Sequence, residues 1–289
     1  MFGECHAHIF MDGVNYQEAL KRQQNGVRED WIRQVFSWYQ EKEITYVREG
    51  GDNLGVSLRA KEIASEYGIE YRSPVFAIHK NGHYGGIVGY GFDTMREYAA
   101  LVERAAREGA DFIKIMTTGL LDFRHNGHVT GTALPFAQVR EIVHIAHEEG
   151  FAVMSHTNGD QAVQEAIESG VDSIEHGNFI TEKTVRMLAD SPSIWVPTAV
   201  TVHNMIGDGR YEDSVLKRIW AITEENLQAA WECGAKVALG SDAGAYCVLH
   251  GQGLVDEYHL FQAALGAGEK LDRWLTDNEK ELKKRFRRG

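Results

Sequence analysis

Short apolar runs rich in β-branched residues alternate with longer amphipathic stretches along the whole chain. The runs 3–10, 44–48, 70–77, 111–116, 151–156, 171–176, 193–198 and 235–241 have the length and composition of strands. Between several of them, apolar residues recur at three- and four-residue intervals over 94–108, 136–149, 161–169, 181–190 and 216–233, the spacing of a helix with one buried face. Strand alternating with helix predicts parallel pairing, because a parallel crossover needs room for a helix. Eight such units predict closure, so the expected fold is α/β, a (β/α)8 TIM barrel over 1–268, followed by a polar C-terminal helical tail over 269–289. No self-similar motif repeats beyond this alternation.

The strand ends carry the chemistry. Cys5-His6-Ala7-His8-Ile9 places two imidazoles at i and i+2, on one face of a strand. Lys114 interrupts the apolar run 111–116, which reads as a buried parallel strand. An isolated ammonium there costs several kcal/mol unless it is paired, neutralised or chemically changed, for example by carbon dioxide to an anionic carbamate; snorkelling to water is the bland alternative. His156 and His176 each close a strand and are separated by one compact βα unit, which sets both at the same end of adjacent strands. Asp242 follows the apolar run 236–240 among small residues; taken alone it reads equally as a helix cap or turn residue. Together, His6, His8, Lys114, His156, His176 and Asp242 would converge at the carboxyl ends of one barrel, where they would build a two-metal hydrolytic site.

In this order and spacing the chain resembles the amidohydrolase superfamily, through His6-Ala7-His8, Phe112-Ile113-Lys114-Ile115, His156-Thr157-Asn158-Gly159, Ser173-Ile174-Glu175-His176-Gly177 and Gly240-Ser241-Asp242-Ala243-Gly244. Within it the imidazolonepropionase-related and prolidase-like members are most similar. The resemblance implies a (β/α)8 barrel and two divalent metal ions, zinc foremost, with manganese, iron or cobalt as alternatives. His6, His8 and Asp242 would hold the more buried ion and His156 and His176 the more exposed one, with a carbamate on Lys114 bridging them. It further implies attack by a metal-bridging hydroxide on an amide or peptide bond, as in an N-acyl amino acid or Xaa-Pro dipeptide, with Asp242 as proton shuttle. Such relatives usually carry a small β-sandwich; here the first strand starts almost at Met1 and the tail is highly charged, so a bare barrel is expected.

Two long connections should hang over the mouth. The stretch 78–92 holds His79, His83 and Tyr84 among five glycines and reads as a mobile lid, since it matches neither a Walker loop nor a dinucleotide fingerprint. The stretch 117–134 holds Arg124, His125 and His128. His83 is similar to a substrate-contacting histidine of the related enzymes, and an exposed loop histidine is its alternative. Arg48 and Arg124 offer planar forks for a substrate carboxylate or, equally, partners for structural ion pairs. Tyr84, His128 and His203 are further substrate-binding candidates, and His250 is a weaker one for the same rim.

Composition narrows the class. A formal charge of -12 disfavours nucleic acid and anionic membranes as partners, leaving a small-molecule substrate, and a homo-oligomer is compatible with it. The basic run Lys283-Lys284-Arg285-Phe286-Arg287-Arg288 reads as a solvated helix end. Cys5, Cys233 and Cys247 lack paired spacing, and neither a leader pattern nor a bilayer-length apolar run is present, so the cytoplasm is expected. Other chemistries stay open: a lactonase or esterase, a phosphotriesterase-like hydrolase, a one-metal lyase or isomerase on the same barrel, or a noncatalytic metal-binding protein. Deamination is disfavoured, because Ser155-His156-Thr157-Asn158-Gly159 differs from the His-Ala-Gly-Glu element of adenosine deaminases.

Overall fold

The computed structural model describes residues 1–124 and 128–288. Its strands are β1 (Glu4–Ala7), β2 (Tyr46–Glu49), β3 (Glu70–Arg72), β4 (Ala77–Lys80), β5 (Gly89–Phe92), β6 (Ile113–Met116), β7 (Val153–Thr157), β8 (Ser173–His176) and β9 (Ile194–Val196). All pairings between them are parallel, in the orders β1-β2-β3 and β5-β4-β6-β7-β8-β9. Backbone hydrogen bonds join the two groups into a ring. On one side, Asp52 N–H donates to Val75 O at 3.1 Å, beside the kink that connects β3 to β4. On the other, the segment 236–243 bridges the ends: Trp195 N–H donates to Lys236 O at 2.9 Å, Cys5 N–H to Leu239 O at 3.0 Å and His8 N–H to Ala243 O at 2.8 Å. This segment is the expected eighth strand, held by single bridges at Val237 and Ala243 rather than by a ladder.

Helices α1 (Tyr16–Arg22), α2 (Glu29–Glu41), α3 (Val56–Ile63), α4 (Met95–Arg107), α5 (Phe136–Glu148), α6 (Asp160–Glu168), α7 (Glu182–Ala189), α8 (Val200–His203), α9 (Asp213–Cys233) and α10 (Gln252–Leu265) connect the strands, and α11 (Glu269–Arg285) follows them. Their boundaries have local causes. At α4, Thr94 and Glu97 form a reciprocal capping box, and Tyr98, Val102 and Ala105 give one apolar face to the barrel. Helices α1, α2, α3, α8 and α10 lie where none is predicted above, although Ile32, Val35, Phe36 and Tyr39 are buried at helical spacing on α2. No helix among the described residues is long and apolar enough to cross a membrane.

Two expectations need correction. The third barrel strand does not run straight through 70–77: it kinks over 73–76, where Val75 takes φ 66°, and resumes as β4. The glycine-rich stretch 78–92 is also not all lid, because β5 pairs with β4 as an additional strand. A Cβ on Gly89 would lie 1.7 Å from Ala77 O, so glycine is what lets this strand approach; read along the sequence, the same glycine signals a loop.

The C-terminal helix closes the amino-terminal end of the barrel. Leu282 and Phe286 are buried with Cys5, Tyr46, Phe112 and Met154, and Glu279 accepts from Gly3 N–H at 2.8 Å. Three of its basic residues are engaged: Lys283 pairs with Glu279 at 2.5 Å, Arg285 with Glu281 at 2.5 Å, and Arg288 lies over Phe151 at 4.1 Å. The end of this helix is therefore docked through ion pairs and apolar contacts rather than left wholly in solvent.

Candidate metal centre and active site

The carboxyl ends of β1, β6, β7, β8 and the 236–243 segment deliver their polar residues to one cavity of about 810 Å³. His6, His8, Lys114, His156, His176 and Asp242 all line it. Parallel register explains the convergence: Met116 stands opposite His156, and Thr157 opposite His176. The ring centres of His6 and His8 are 5.5 Å apart, those of His6 and His176 5.1 Å, and those of His156 and His176 4.6 Å. Asp242 Oδ1 lies 3.5 Å from both His6 Nε2 and His8 Nε2, and one donor atom from each of these three residues falls within 4.8 Å of the others. Gly50 leaves the space that His8 occupies; a Cβ there would be 2.3 Å from the imidazole.

The backbone is bent to present two of these groups. His176 has φ 67° and Asp242 φ 59°, left-handed conformations that cost about 1–3 kcal/mol for a residue with a side chain. Both bends are held from behind. Trp195 Nε1–H donates to His176 O at 2.8 Å. Asp242 N–H donates to His6 O at 2.7 Å, while Glu4 accepts from Ser241 N–H at 2.8 Å, Ser241 Oγ–H at 2.6 Å and His6 N–H at 3.1 Å. Glu4 thereby ties β1 to the segment that carries Asp242. A shell of hydrogen bonds also orients the imidazoles. His6 Nδ1 is 2.7 Å from Glu175 Oε2, which leaves Nε2 with its lone pair toward the cavity. His156 Nε2 lies 3.0 Å from Gly119 O and leaves Nδ1 unprotonated, and His176 Nδ1 is 2.7 Å from Thr198 Oγ1.

Electrostatics keeps the imidazoles in ligating form. Burial, reinforced by the charge of Lys114, lowers His8 and His156 to about 3 and holds His6 well below the ordinary imidazole range. Burial and the neighbouring His156 do the same for His176. Burial brings Lys114 down to about 8 against the attraction of Glu175 and Asp242, and pushes Asp242 up to about 7 against the attraction of Lys114. Three buried polar atoms of the site, Lys114 Nζ, His6 Nε2 and His8 Nδ1, have no hydrogen-bond partner among the described residues. Unpartnered donors among neutral imidazoles and a carboxylate fit divalent cations with mixed nitrogen and oxygen ligation.

The residues expected to touch substrate scatter. Tyr84 lines the cavity, its ring centre 5.1 Å from that of His156. Arg48 does not reach the mouth: it is fully buried beneath the site, bonded to Cys5 O at 2.7 Å, Ser173 Oγ at 2.9 Å and Glu175 at 2.9 and 3.0 Å. Its strand position turns the side chain into the barrel, where Glu175 takes the guanidinium. His83, Arg124, His128 and His203 do not line the cavity. His83 sits in the turn closed by its own N–H to Lys80 O at 3.0 Å, and Arg124 is exposed beside Asp122. His128 is exposed in the same loop as Arg124. His203 packs its edge on Trp220 and faces a shallower neighbouring depression. His250 is buried between Tyr39 OH at 3.1 Å and Met11 O at 2.9 Å, and His125 lies outside the described residues. Conversely, Glu4 and Glu175 support the site, and Asn158, Asn178, Arg210 and Tyr246 line it, without assignment from sequence. Glu175, a carboxylate inside a buried strand, carried a readable signal; Arg210, in a polar turn, carried none.

Parallel strands that close into a ring and converge on buried nitrogen and carboxylate donors define a barrel enzyme with room for metal. The chain belongs to the amidohydrolase family, whose model matches residues 4–271. That family comprises hydrolases acting on carbon–nitrogen bonds and generally uses divalent metals. An uncharacterized protein of Mycobacterium tuberculosis is 30% identical over 151 residues, covering 47% of this chain and 40% of the relative, and a counterpart from Mycobacterium bovis matches to the same extent. The chain thus spans about 40% of the length of these curated relatives. Among solved structures, a Xaa-Pro dipeptidase with methionine bound in its active site superposes with a TM-score of 0.77 at 22% identity, over 98% of this chain and 75% of the other. The ochratoxinase of A. niger gives 0.76 at 18%, over 96% and 70%, and a bottromycin amidohydrolase 0.66 at 16%, over 98% and 67%. At these identities the likeness is one of fold.

Proposed function

We infer that this chain is a binuclear metal-dependent amidohydrolase that cleaves an amide or peptide bond in a small substrate, such as an N-acyl amino acid or an Xaa-Pro dipeptide. The observation that carries the reading is the unpartnered Lys114 Nζ, buried among four neutral imidazoles and Asp242 in one cavity. Loss of one proton from the Lys114 ammonium, then addition of carbon dioxide to the amine with loss of a second, would turn this misplaced cation into an anionic ligand and remove the cost of burying it. His6, His8 and Asp242 would hold one cation and His156 and His176 the other, with Lys114 between. Two divalent ions, zinc foremost, would polarise the substrate carbonyl and acidify water near neutral pH.

The chain's own residues do the rest. Glu175 and Thr198 fix His6 and His176, so that the site does not reorganise as charge develops. Asp242 would take a proton from the attacking water and return it to the leaving nitrogen. The prolidase-like fold neighbours support a carbon–nitrogen bond as the target. The test is Asp242→Asn, assayed on dipeptides and N-acyl amino acids with metal content measured in parallel. Turnover is expected to fall by about 10²–10⁴ with much of the metal retained; near-normal turnover would remove Asp242 from the proton path.

A further inference from the structure

The cavity wall outside the six inward residues is chemically lopsided. Among the described residues that line it, Arg210 is the one lysine or arginine besides Lys114, and Asp242 is the one acid. Arg210 stands in the turn between α8 and α9, with its guanidinium carbon 4.3 Å from the ring centre of Tyr246 and 5.5 Å from that of Tyr211. Tyr211 is itself packed on Phe123, ring centres 5.0 Å apart. Several other arginines on this acidic surface are paired, as in Arg22 with Asp12 and Arg33 with Glu66. The Arg210 guanidinium makes no ion pair among the described residues; Asp208 accepts its backbone N–H at 2.8 Å instead. Contacts with the two rings hold the guanidinium beside the cavity, where Arg210 is exposed and can meet an anionic group.

Much of the rest of the rim is apolar, with Asn15 and Gln17 as polar exceptions. The exposed large hydrophobic side chains are Met1, Val14, Tyr16, Leu120, Tyr246 and Leu249. Val14, Tyr16, Leu120 and Tyr246 line the cavity, and Leu249 lines the adjoining depression that shares Val14 and Tyr246. Exposed apolar groups gathered around one opening mark a binding surface. We propose that Arg210 reads a free carboxylate on the substrate while Tyr16, Leu120 and Tyr246 hold an apolar group, so that the substrate is an amphiphilic N-acyl amino acid or dipeptide with a bulky apolar acyl portion. This rests on the amide-hydrolase reading above, and it makes Arg210 the specificity residue that a search for rim arginines along the sequence does not find.

The experiment compares N-hexanoyl-alanine with N-hexanoyl-alaninamide on metal-loaded wild type, Arg210→Met and Arg210→Lys, after matching metal content and melting temperature. Wild type is expected to prefer the acid in kcat/KM by on the order of 10- to 100-fold, the worth of a charge-assisted hydrogen bond. Arg210→Met brings that ratio to about one, chiefly through KM, and Arg210→Lys falls between because it keeps charge without the fork. Shortening hexanoyl to acetyl lowers kcat/KM by about fourfold per methylene in wild type. Equal turnover of acid and amide by wild type overturns the role of Arg210 and leaves amide hydrolysis standing. If neither compound is hydrolysed, calorimetric binding decides. Acid-selective binding that disappears in Arg210→Met upholds the carboxylate site and counts against hydrolysis, whereas equal or absent binding overturns the site.

Discussion

Two buried cations stand in the same barrel and have opposite environments. Arg48 on β2 spends its guanidinium on Cys5 O, Ser173 and Glu175, and lies 4.3 Å over Phe286 of the docked C-terminal helix. Lys114 on β6 is as deeply buried, yet its Nζ has no hydrogen-bond partner. A buried charge whose donors are met is part of the scaffold; one left bare calls for an explanation, and the proposed carbamate supplies one. The two are linked through Glu175, which accepts from Arg48 and also orients His6. The closed end of the barrel thus prepares the open one.

Breaking the satisfied side should cost most. Arg48→Met leaves the Glu175 carboxylate buried without its cation and is expected to destabilise the fold by about 3–5 kcal/mol in urea unfolding. A loss under about 1 kcal/mol would show that the Arg48 network is dispensable. On the bare side the expectation reverses: Lys114→Met should melt no lower than chelated wild type, because an unpaired ammonium is replaced by an apolar side chain of similar length. The same variant should bind less metal and lose activity by at least about 100-fold; full metal content with normal turnover would deny Lys114 a role. Metal removal sharpens the contrast further. At a free metal concentration about 100 times Kd, the loaded protein should be more stable than the chelated one by about 2.7 kcal/mol, read by calorimetry.

The last prediction concerns a buried carboxylate outside the site. Glu257 accepts from Ala199 N–H at 3.0 Å and Val200 N–H at 2.9 Å, and burial raises it from 4.5 to about 8. The folded state then keeps a proton that the unfolded chain has released across this window, so stability falls as pH rises from 4.5 to about 8 and levels off above it. Glu257→Gln should make that decline shallower in chelated protein. Urea titrations at both ends of the window measure it, and an unchanged slope would assign the pH dependence to other groups.

The positions of His6, His8, Lys114, His156, His176 and Asp242 at strand ends were legible because each interrupts or closes an apolar run, and that signal is local. Their gathering into one cavity follows from parallel register, which the strand–helix alternation already implied. The arginines were not legible. Arg48 and Arg210 are both arginines near strand or loop boundaries, and nothing nearby in sequence tells which turns inward to Glu175 and which stacks open on Tyr246. Likewise, β5 is hidden because its glycines read as a loop until the close approach to Ala77 is seen.

Sequence by itself determined the barrel plan and the donors at its mouth, since strand and helix periodicity and a polar residue in an apolar run are properties of a few consecutive residues. Tertiary structure decided which charges are satisfied, where α11 docks and what rims the cavity. Those depend on partners brought together only when the ring closes, such as Arg48 with Glu175, Phe286 with Phe112, and Arg210 with Tyr246.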